Sequence, residues 1–465
     1  MSAREARSDV VVVGAGVVGA AIARELALGG ASCTLLEAGA DVGAGTSKAN
    51  TALLHTGFDA KPGTLEARLV RRGHELLSEY AGPAGIPLER IGALLVAWSE
   101  DELARLDGIL ARARENGHAA IRAIDRDELR EREPNLGPGA RGALEIPDEG
   151  ILCPFTITLA FATEAVMAGC RLRRATPVTA ASRLAGGGFR VETPAGTFES
   201  RYLVNAAGLR SDDVDRMLGY ERFTVTPRRG ELLVFDKLAR PLLSRIVLAV
   251  PTRTTKGVLI APTVYGNVLL GPTAEDLERK DDTASTAAGI EYLRREAERI
   301  MPELLAHEVT AIYAGLRAAT EHDDYQLAID EGYVCAAGIR STGVSASLAI
   351  AEHVREALAA ARLALREPSG ALPPRMPNIG ELADRPYRSA ELIARDPEYG
   401  RVICFCERVT RGEIRDALAS PVPPTDPDGL RRRTRALMGR CQGFYCGARV
   451  RAMLSAATGT APEDR

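Results

Sequence analysis

Lysine is almost missing from this chain: there are 5, against 54 arginines. Its surface cations are arginines by habit, so a lysine inside a motif carries slightly more weight. Aromatics are scarce at 5%, with a single Trp. Long apolar runs are missing too. The longest, Val10 to Ala23, is fourteen residues broken by glycines, short of the roughly 18 or more expected of a spanning helix. No sign of charge dominates: 59 basic against 62 acidic residues give −3, which excludes a general polyanion-binding footprint and argues against nucleic acid as a partner. Met1 to Asp9 is charged and carries no signal-peptide cleavage pattern. A cytoplasmic protein is therefore expected. What remains is an ordinary globular balance over 465 residues, 46% hydrophobic and 26% charged. That is room for about three domains and excludes a mainly disordered chain.

The run Asp9 to Val13 reads as a buried strand, and Gly14-Ala-Gly16-Val-Val-Gly19 follows it at once. Ala20 to Leu28 reads as a helix. A second strand, Ser32 to Leu36, ends at Glu37. Strand, glycine turn, helix, strand and acid in that order form the dinucleotide-binding fingerprint. Gly14 permits the tight turn, Gly16 lets backbone approach a pyrophosphate, and Gly19 allows close helix–strand packing. The helix N-terminus offers amides to phosphate, and Glu37 would bind ribose hydroxyls.

Eight cysteines divide in two. Cys33, Cys153, Cys170 and Cys335 sit singly among small or apolar residues and read as core. The other four lie close together as Cys404-x-Cys406, 34 intervening residues, then Cys441-x4-Cys446. In a cytosolic chain that clustering points to a metal centre rather than disulfides. Four thiolates suit zinc or an iron–sulfur cluster. Cys-x-Cys is tighter than the habit of structural zinc, and the glycine-rich flanks let amides approach the sulfurs, so a 2Fe–2S cluster is the expected occupant.

Two resemblances follow from these residues. Cys404-x-Cys406-x-x-Val409-Thr410-x-x-Glu413-Ile414, followed by Gly439-Arg-Cys441-Gln-Gly-x-x-Cys446-Gly447, resembles the bacterioferritin-associated-ferredoxin type of 2Fe–2S domain. Thr410 with Glu413 also makes a capping box for a helix near 411–419, and Gly447 to Ala457 reads as a second helix. The glycine turn, together with Tyr202 to Gly208 and Val334 to Gly343, resembles the D-amino-acid-oxidase-like FAD oxidoreductases over roughly residues 9–365. That resemblance implies bound FAD. It places Thr46, Ser47, Lys48 and Asn50 near the pyrophosphate and flavin, and Val178 on the adenine side. Ala207 and Gly208 come with the first segment. Gly338, Ile339, Arg340, Ser341 and Gly343 would lie beside the flavin ring, followed by a helix to about Leu365.

The expected fold class is α/β: a Rossmann-like FAD-binding domain, an inserted antiparallel α+β substrate domain and a small helical four-cysteine domain. The flavin domain would be discontinuous, 8–80, 150–220 and 310–365. The substrate domain would take 81–149 and 221–309, a proline-rich linker 366–400, and the cluster domain 401–460. Residues 401–460 hold 11 Arg against 5 acids, an asymmetry suited to docking on an acidic partner or on the chain's own body.

On the substrate side, Thr226 to Glu231, Thr255 to Thr263, Leu270 to Asp276 and Tyr313 to Thr320 resemble the FAD-dependent glycerol-3-phosphate dehydrogenases, including the anaerobic, cluster-bearing large subunit. One position departs. That family usually follows the flavin-loop His with an Arg four residues on, and here His55 is followed by Asp59. Lys61-Pro-Gly instead resembles L-2-hydroxyglutarate oxidases. Both imply hydride transfer to the flavin from a secondary alcohol beside an anion. Amine oxidation is a further reading, and a non-catalytic flavoprotein scaffold is a reading of another class. His55 is the expected base or hydroxyl partner, and Arg317 and Arg340 are the expected anion clamps. Lys61 and Lys256 are weaker candidates, and the remaining histidines show no ligand spacing. Electrons would leave through the cluster to a partner protein or quinone, with any membrane contact made through partners.

Overall fold

Val10, Val11 and Val12 are wholly buried in the strand Ser8–Val13. β-branched side chains suit that pleat, and cover on both faces explains why the run is continuously apolar rather than alternating. The strand pairs in parallel with Cys33–Leu36 on one side and Gly196–Asn205 on the other. Arg171–Arg173 and Tyr333–Ala337 extend the parallel order outward. Ala180–Arg183, Phe189–Thr193 and Gln326–Asp330 add antiparallel edges, making eight strands among the described residues. The computed structural model describes residues 7–251, 257–367, 372–381 and 384–459. Lys256 lies outside them.

Helices cover this sheet. Val17–Leu28 starts directly at the glycine turn and packs against Pro154–Met167 and Gly343–Ala360. Gly343–Ala360 also packs on Leu65–Ala81, whose Thr64 hydroxyl accepts from the Ala67 amide as N-cap. The helix after Gly343 ends at Ala360, short of Leu365, and Arg362 turns the chain with φ 68°.

A second sheet of nine strands carries the substrate side. It is antiparallel except that Ile246–Ala249 runs parallel to Ala93–Ala97. Val309–Ala319 pairs along Thr226–Phe235 in this sheet. The chain therefore re-enters the flavin sheet only near Gln326, later than residue 310. Gly150–Leu152 forms a small separate sheet with Leu53–Leu54 and Leu88–Glu89.

The described part of 366–400 follows the body of the protein. The amides of Met376 and Glu381 bond to the carbonyls of Ala84 and Val264 at 2.8 and 2.9 Å. It then forms the short helix Ala390–Arg395. Beyond it, Val402–Cys404 pairs with Val409–Thr410, followed by helices Arg411–Leu418, Pro427–Thr434 and Gly447–Thr458. The capping box of Thr410 and Glu413 is formed. Val409, Ile414, Leu430 and Val450 make this unit's own core. Among the described residues, no helix is long and apolar enough to cross a membrane.

Candidate active site

The glycine turn is built for close approach. Gly14 has φ 99°, and a Cβ there would stand 2.5 Å from the Ala206 carbonyl oxygen. A Cβ on Gly19 would stand 1.9 Å from the Gly14 carbonyl oxygen, so Gly19 brings helix and strand together. Gly16 is the N-cap of Val17–Leu28 with no side-chain cap, and it lines the large cleft between the two sheets. The Val17 amide donates to the Ser47 hydroxyl at 2.9 Å, and a helix first turn facing a cleft in this way is what an anionic phosphate requires. A second uncapped helix start, at Thr342 and Gly343, faces the same cleft. Thr46, Ser47 and Asn50 also line it, as do Gly208, Gly338, Ile339 and Ser341. Glu37 accepts from the amides of Ala15 and Gly39 at 2.8 and 2.7 Å, which fixes its carboxylate at the mouth of the turn. Val178 and Ala207 pack in a hydrophobic cluster beside it. These groups fit an extended dinucleotide. Lys48 does not join them: its ammonium bonds to Asp428 at 2.8 Å, on a helix of the cluster domain.

Opposite this cradle stands Arg317, on the strand Val309–Ala319 and on the cleft wall. Its guanidinium donates to the Thr273 carbonyl at 2.7 Å and the Arg229 carbonyl at 3.3 Å. No carboxylate among the described residues pairs with it. Burial, then the neighbouring Arg228 charge, pushes its pKa down to about 10, still a cation near neutrality. A half-buried cation bonded only to carbonyls is the counterpart of a bound anion. Arg340 also lines the cleft, but its guanidinium bonds to Glu66 at 2.6 Å and to the Asp323 carbonyl at 2.7 Å. Its charge is already balanced.

His55 stands between two carboxylates. Nδ1 is 2.8 Å from Glu149 Oε1 and Nε2 is 3.0 Å from Asp59 Oδ1. Burial alone would lower its pKa, but the Glu149 charge and the bonds to both acids outweigh it and push it up to about 10. His55 is thus an imidazolium donating from both nitrogens, not a neutral base titrating near pH 7. Asp59 lines the cleft beside it. Glu149 is wholly buried and also accepts from the Thr56 amide and hydroxyl. Lys61 is 72% exposed, 3.8 Å from Asp323, and off the cleft.

The four C-terminal cysteines lie as two neighbouring pairs, Cys404 beside Cys446 and Cys406 beside Cys441. Among the described residues no three ligand side chains converge on one metal ion. Two thiol pairs match a two-iron cluster better than a single zinc. Burial pushes Cys404 up to about 11, against the amides of Glu407 and Leu437 that bond its sulfur. The Tyr445, Gly443 and Phe444 amides hold Cys441 below its ordinary value. Amides aimed at sulfur favour thiolate, so the donor set fits the cluster. A Cβ on Gly439 would lie 2.3 Å from the Cys406 Cβ, so the two loops meet only across glycine.

Residues 9–357 match the pattern of the FAD dependent oxidoreductase family. The chain belongs to that family. Residues 402–456 match the BFD-like [2Fe-2S] binding domain. A glycerol 3-phosphate dehydrogenase of Caloramator mitchellensis is 35% identical over 95% of this chain and 92% of its own length. The matching polypeptide of the anaerobic glycerol-3-phosphate dehydrogenase of Escherichia coli K12 is 28% identical over 98% of this chain and 89% of its own. Among solved structures, the reduced, FAD-bound L-alpha-glycerophosphate oxidase of Mycoplasma pneumoniae superposes with a TM-score of 0.74. It is 27% identical, covering 80% of this chain and 98% of that one.

As a member of this family with a BFD-like domain, the chain takes FAD and a 2Fe–2S cluster. The sequence reading missed Glu149 and Glu66. Glu149 sits in an ordinary Pro-Asp-Glu-Gly turn, and Glu66 meets Arg340, in the turn before Gly343–Ala360, across 274 residues of sequence. No local signal marks either.

Proposed function

We propose that this chain oxidises glycerol 3-phosphate to dihydroxyacetone phosphate and passes the electrons through its own cluster domain to an acceptor protein. The observation that carries this reading is Arg317, a half-buried cation that no carboxylate among the described residues pairs with, across the cleft from the dinucleotide cradle. The segments 226–231, 270–276 and 313–320, which resemble glycerol-3-phosphate dehydrogenases, meet at its guanidinium. Relatives with that printed activity match both the flavin region and the cluster segment.

Arg317 binds the substrate phosphate and so aims the secondary hydroxyl carbon into the cleft. Glu149 fixes the ring of His55, and His55 orients Asp59 through Nε2. Asp59 Oδ1 takes the hydroxyl proton, the role expected of His55 itself, because an imidazolium has no lone pair to offer. FAD, when bound, supplies the hydride acceptor. Arg340 holds the helix start beside that acceptor through Glu66 rather than gripping substrate. Lys61, the residue behind the L-2-hydroxyglutarate alternative, is exposed and does not line the cleft, which disfavours that reading.

Anaerobic titration of the holoenzyme tests the proposal, with flavin absorbance and cluster EPR followed together. Glycerol 3-phosphate should bleach the flavin and raise a reduced-cluster signal, and L-2-hydroxyglutarate at the same concentration should do neither. Bleaching by the hydroxy acid alone would sink the assignment.

A further inference from the structure

The aromatic residues of this chain are few, and three of them are placed where burial would be expected least. Among the described residues only four aromatics are exposed. Tyr292 is one; the others are Phe405 at 67%, Phe444 at 84% and Tyr445 at 74% exposure. Phe405 lies between Cys404 and Cys406, and Phe444 and Tyr445 lie between Cys441 and Cys446. Phe444 and Tyr445 contact each other edge to face, with centroids 5.2 Å apart. Among the described residues none of these rings joins the core of the unit. Exposed aromatics gathered at one spot mark an interaction surface rather than chance exposure.

The thiols are graded in the same direction. Cys404 and Cys446 are buried, whereas Cys406 and Cys441 are only half-buried. The Cys406–Cys441 edge of the centre therefore faces the aromatic lip.

The acids that reach this edge are paired, Asp236 and Glu308 with Arg440, so the charge left unpaired beside it among the described residues is positive. From Ala436 to Gly459 the sequence has no acid. Arg449 and Arg451 are exposed on the first turns of the helix that begins at Gly447, and no ion pair engages them among the described residues. The one acid in the neighbouring loop, Glu407, is buried under Arg435 and Lys237. The rest of the chain is net acidic, so this positive, aromatic face is a local feature.

We propose that Phe405, Phe444 and Tyr445, flanked by Arg449 and Arg451, form the docking surface for an acidic one-electron carrier protein that takes electrons from the Cys406–Cys441 edge. The inference rests on the glycerol 3-phosphate reading, which supplies the electrons. One substrate loses two electrons and two protons. Each of two carriers gains one electron, and both protons pass to solvent. A lipid surface would also accept aromatics and arginines, but it offers no acceptor at the thiol edge. The helix beginning at Gly447 also turns Val450 and Leu454 inward rather than presenting an apolar face.

The test mixes anaerobically reduced holoenzyme with two soluble carriers of opposite charge, acidic plant plastocyanin and basic cytochrome c. Plastocyanin should be reduced faster at low salt, with a rate that falls steeply as salt rises. The double variant Arg449→Glu/Arg451→Glu should slow it at least about tenfold and quicken cytochrome c. Phe444→Ser with Tyr445→Ser, which keeps the two backbone amides at Cys441, should slow plastocyanin reduction per loaded centre, with cluster EPR of the same sample counting the loaded centres. Equal, salt-insensitive rates for both carriers, or indifference to charge reversal, would overturn the proposal. So would loss of sedimentation with phosphatidylglycerol vesicles in these variants at unaltered carrier rates, which would assign the face to lipid. If glycerol 3-phosphate leaves the flavin yellow, dithionite reduction lets the docking test proceed alone, and the two failures stay distinct.

Discussion

Arg317 and Arg340 show how far one arginine can differ from another with the same local look. Both follow small or apolar residues, both reach the cleft, and sequence alone gives them the same role. Glu66 separates them by neutralising Arg340, and that contact exists only after folding. The two make a matched experiment. Arg317→Met should lower kcat/KM for glycerol 3-phosphate by about 10- to 150-fold, the value of roughly 1.5–3 kcal/mol for a hydrogen bond to a charged group. The effect should fall mainly on KM, because a phosphate is bound alike before and during hydride transfer. Arg340→Met should instead lower thermal stability through the orphaned Glu66, with a smaller effect on KM. For the wild type, KM should climb as pH approaches 10. Arg317 is protonated below that value and loses its charge above it, and only the cation attracts phosphate. A KM flat from pH 7 to 10 would remove Arg317 from the anion site.

Elements were more legible than contacts. Four consecutive valines, a glycine turn and a largely apolar helix give the first βαβ unit, and the apolar stretches Ala93–Ala97, Leu259–Pro262 and Val268–Gly271 are strands of one sheet. What escaped was allegiance. Val309–Ala319 reads as a strand of either sheet, and only its register with Thr226–Phe235 assigns it to the substrate side. Helix Pro427–Thr434 was invisible for a different reason. Its Arg-rich stretch reads only as a charge excess suited to docking on an acidic partner or on the chain's own body, and Arg432 and Arg433 are buried against another domain. The cysteine loops were legible because spacing and glycines both constrain them. Gly439 offers the sharpest check at this scale. Its Cβ would collide with the Cys406 Cβ at 2.3 Å, so Gly439→Ala must push the two loops apart. Visible absorption and EPR should show the cluster lost or labile while flavin content stays normal. A fully loaded Gly439→Ala protein would mean that the loops adjust freely.

In the whole molecule, the arginine excess of the cluster domain turns out to face inward as well as outward. Arg432 and Arg433 bond to Asp41, just past the second flavin-domain strand, at 2.6–2.8 Å. Lys48 reaches Asp428 from the other side. Arg435 stacks on the Tyr265 ring at 3.9 Å while bonding to Glu407 at 2.9 Å, and the Tyr265 hydroxyl touches Cys153. These contacts fix the cluster domain against both the flavin loop and the substrate sheet, as an electron relay needs, since transfer from flavin to cluster depends on a constant separation. Asp41 is the centre of this joint. Burial would raise its pKa, but Arg433 and Arg432 hold it below the ordinary carboxylate value, and Asp428 is held at about 2 by Lys48 and the arginines against the same burial cost. Depressed carboxylates contribute stability above their ordinary pKa near 3.9 and lose it as pH falls through the folded value. The joint should therefore hold across neutral pH and loosen between about pH 4 and pH 2, seen as faster proteolysis of the 366–400 segment before the flavin domain unfolds. Asp41→Asn should reproduce that release at pH 7, because the buried Arg433 guanidinium loses its counter-charge while Arg432 keeps only Asp428, a change of about 3–5 kcal/mol. Flavin reduction by substrate should keep its rate in this variant while cluster reduction slows. Equal slowing of both steps would show that Asp41 supports the flavin site itself rather than the joint.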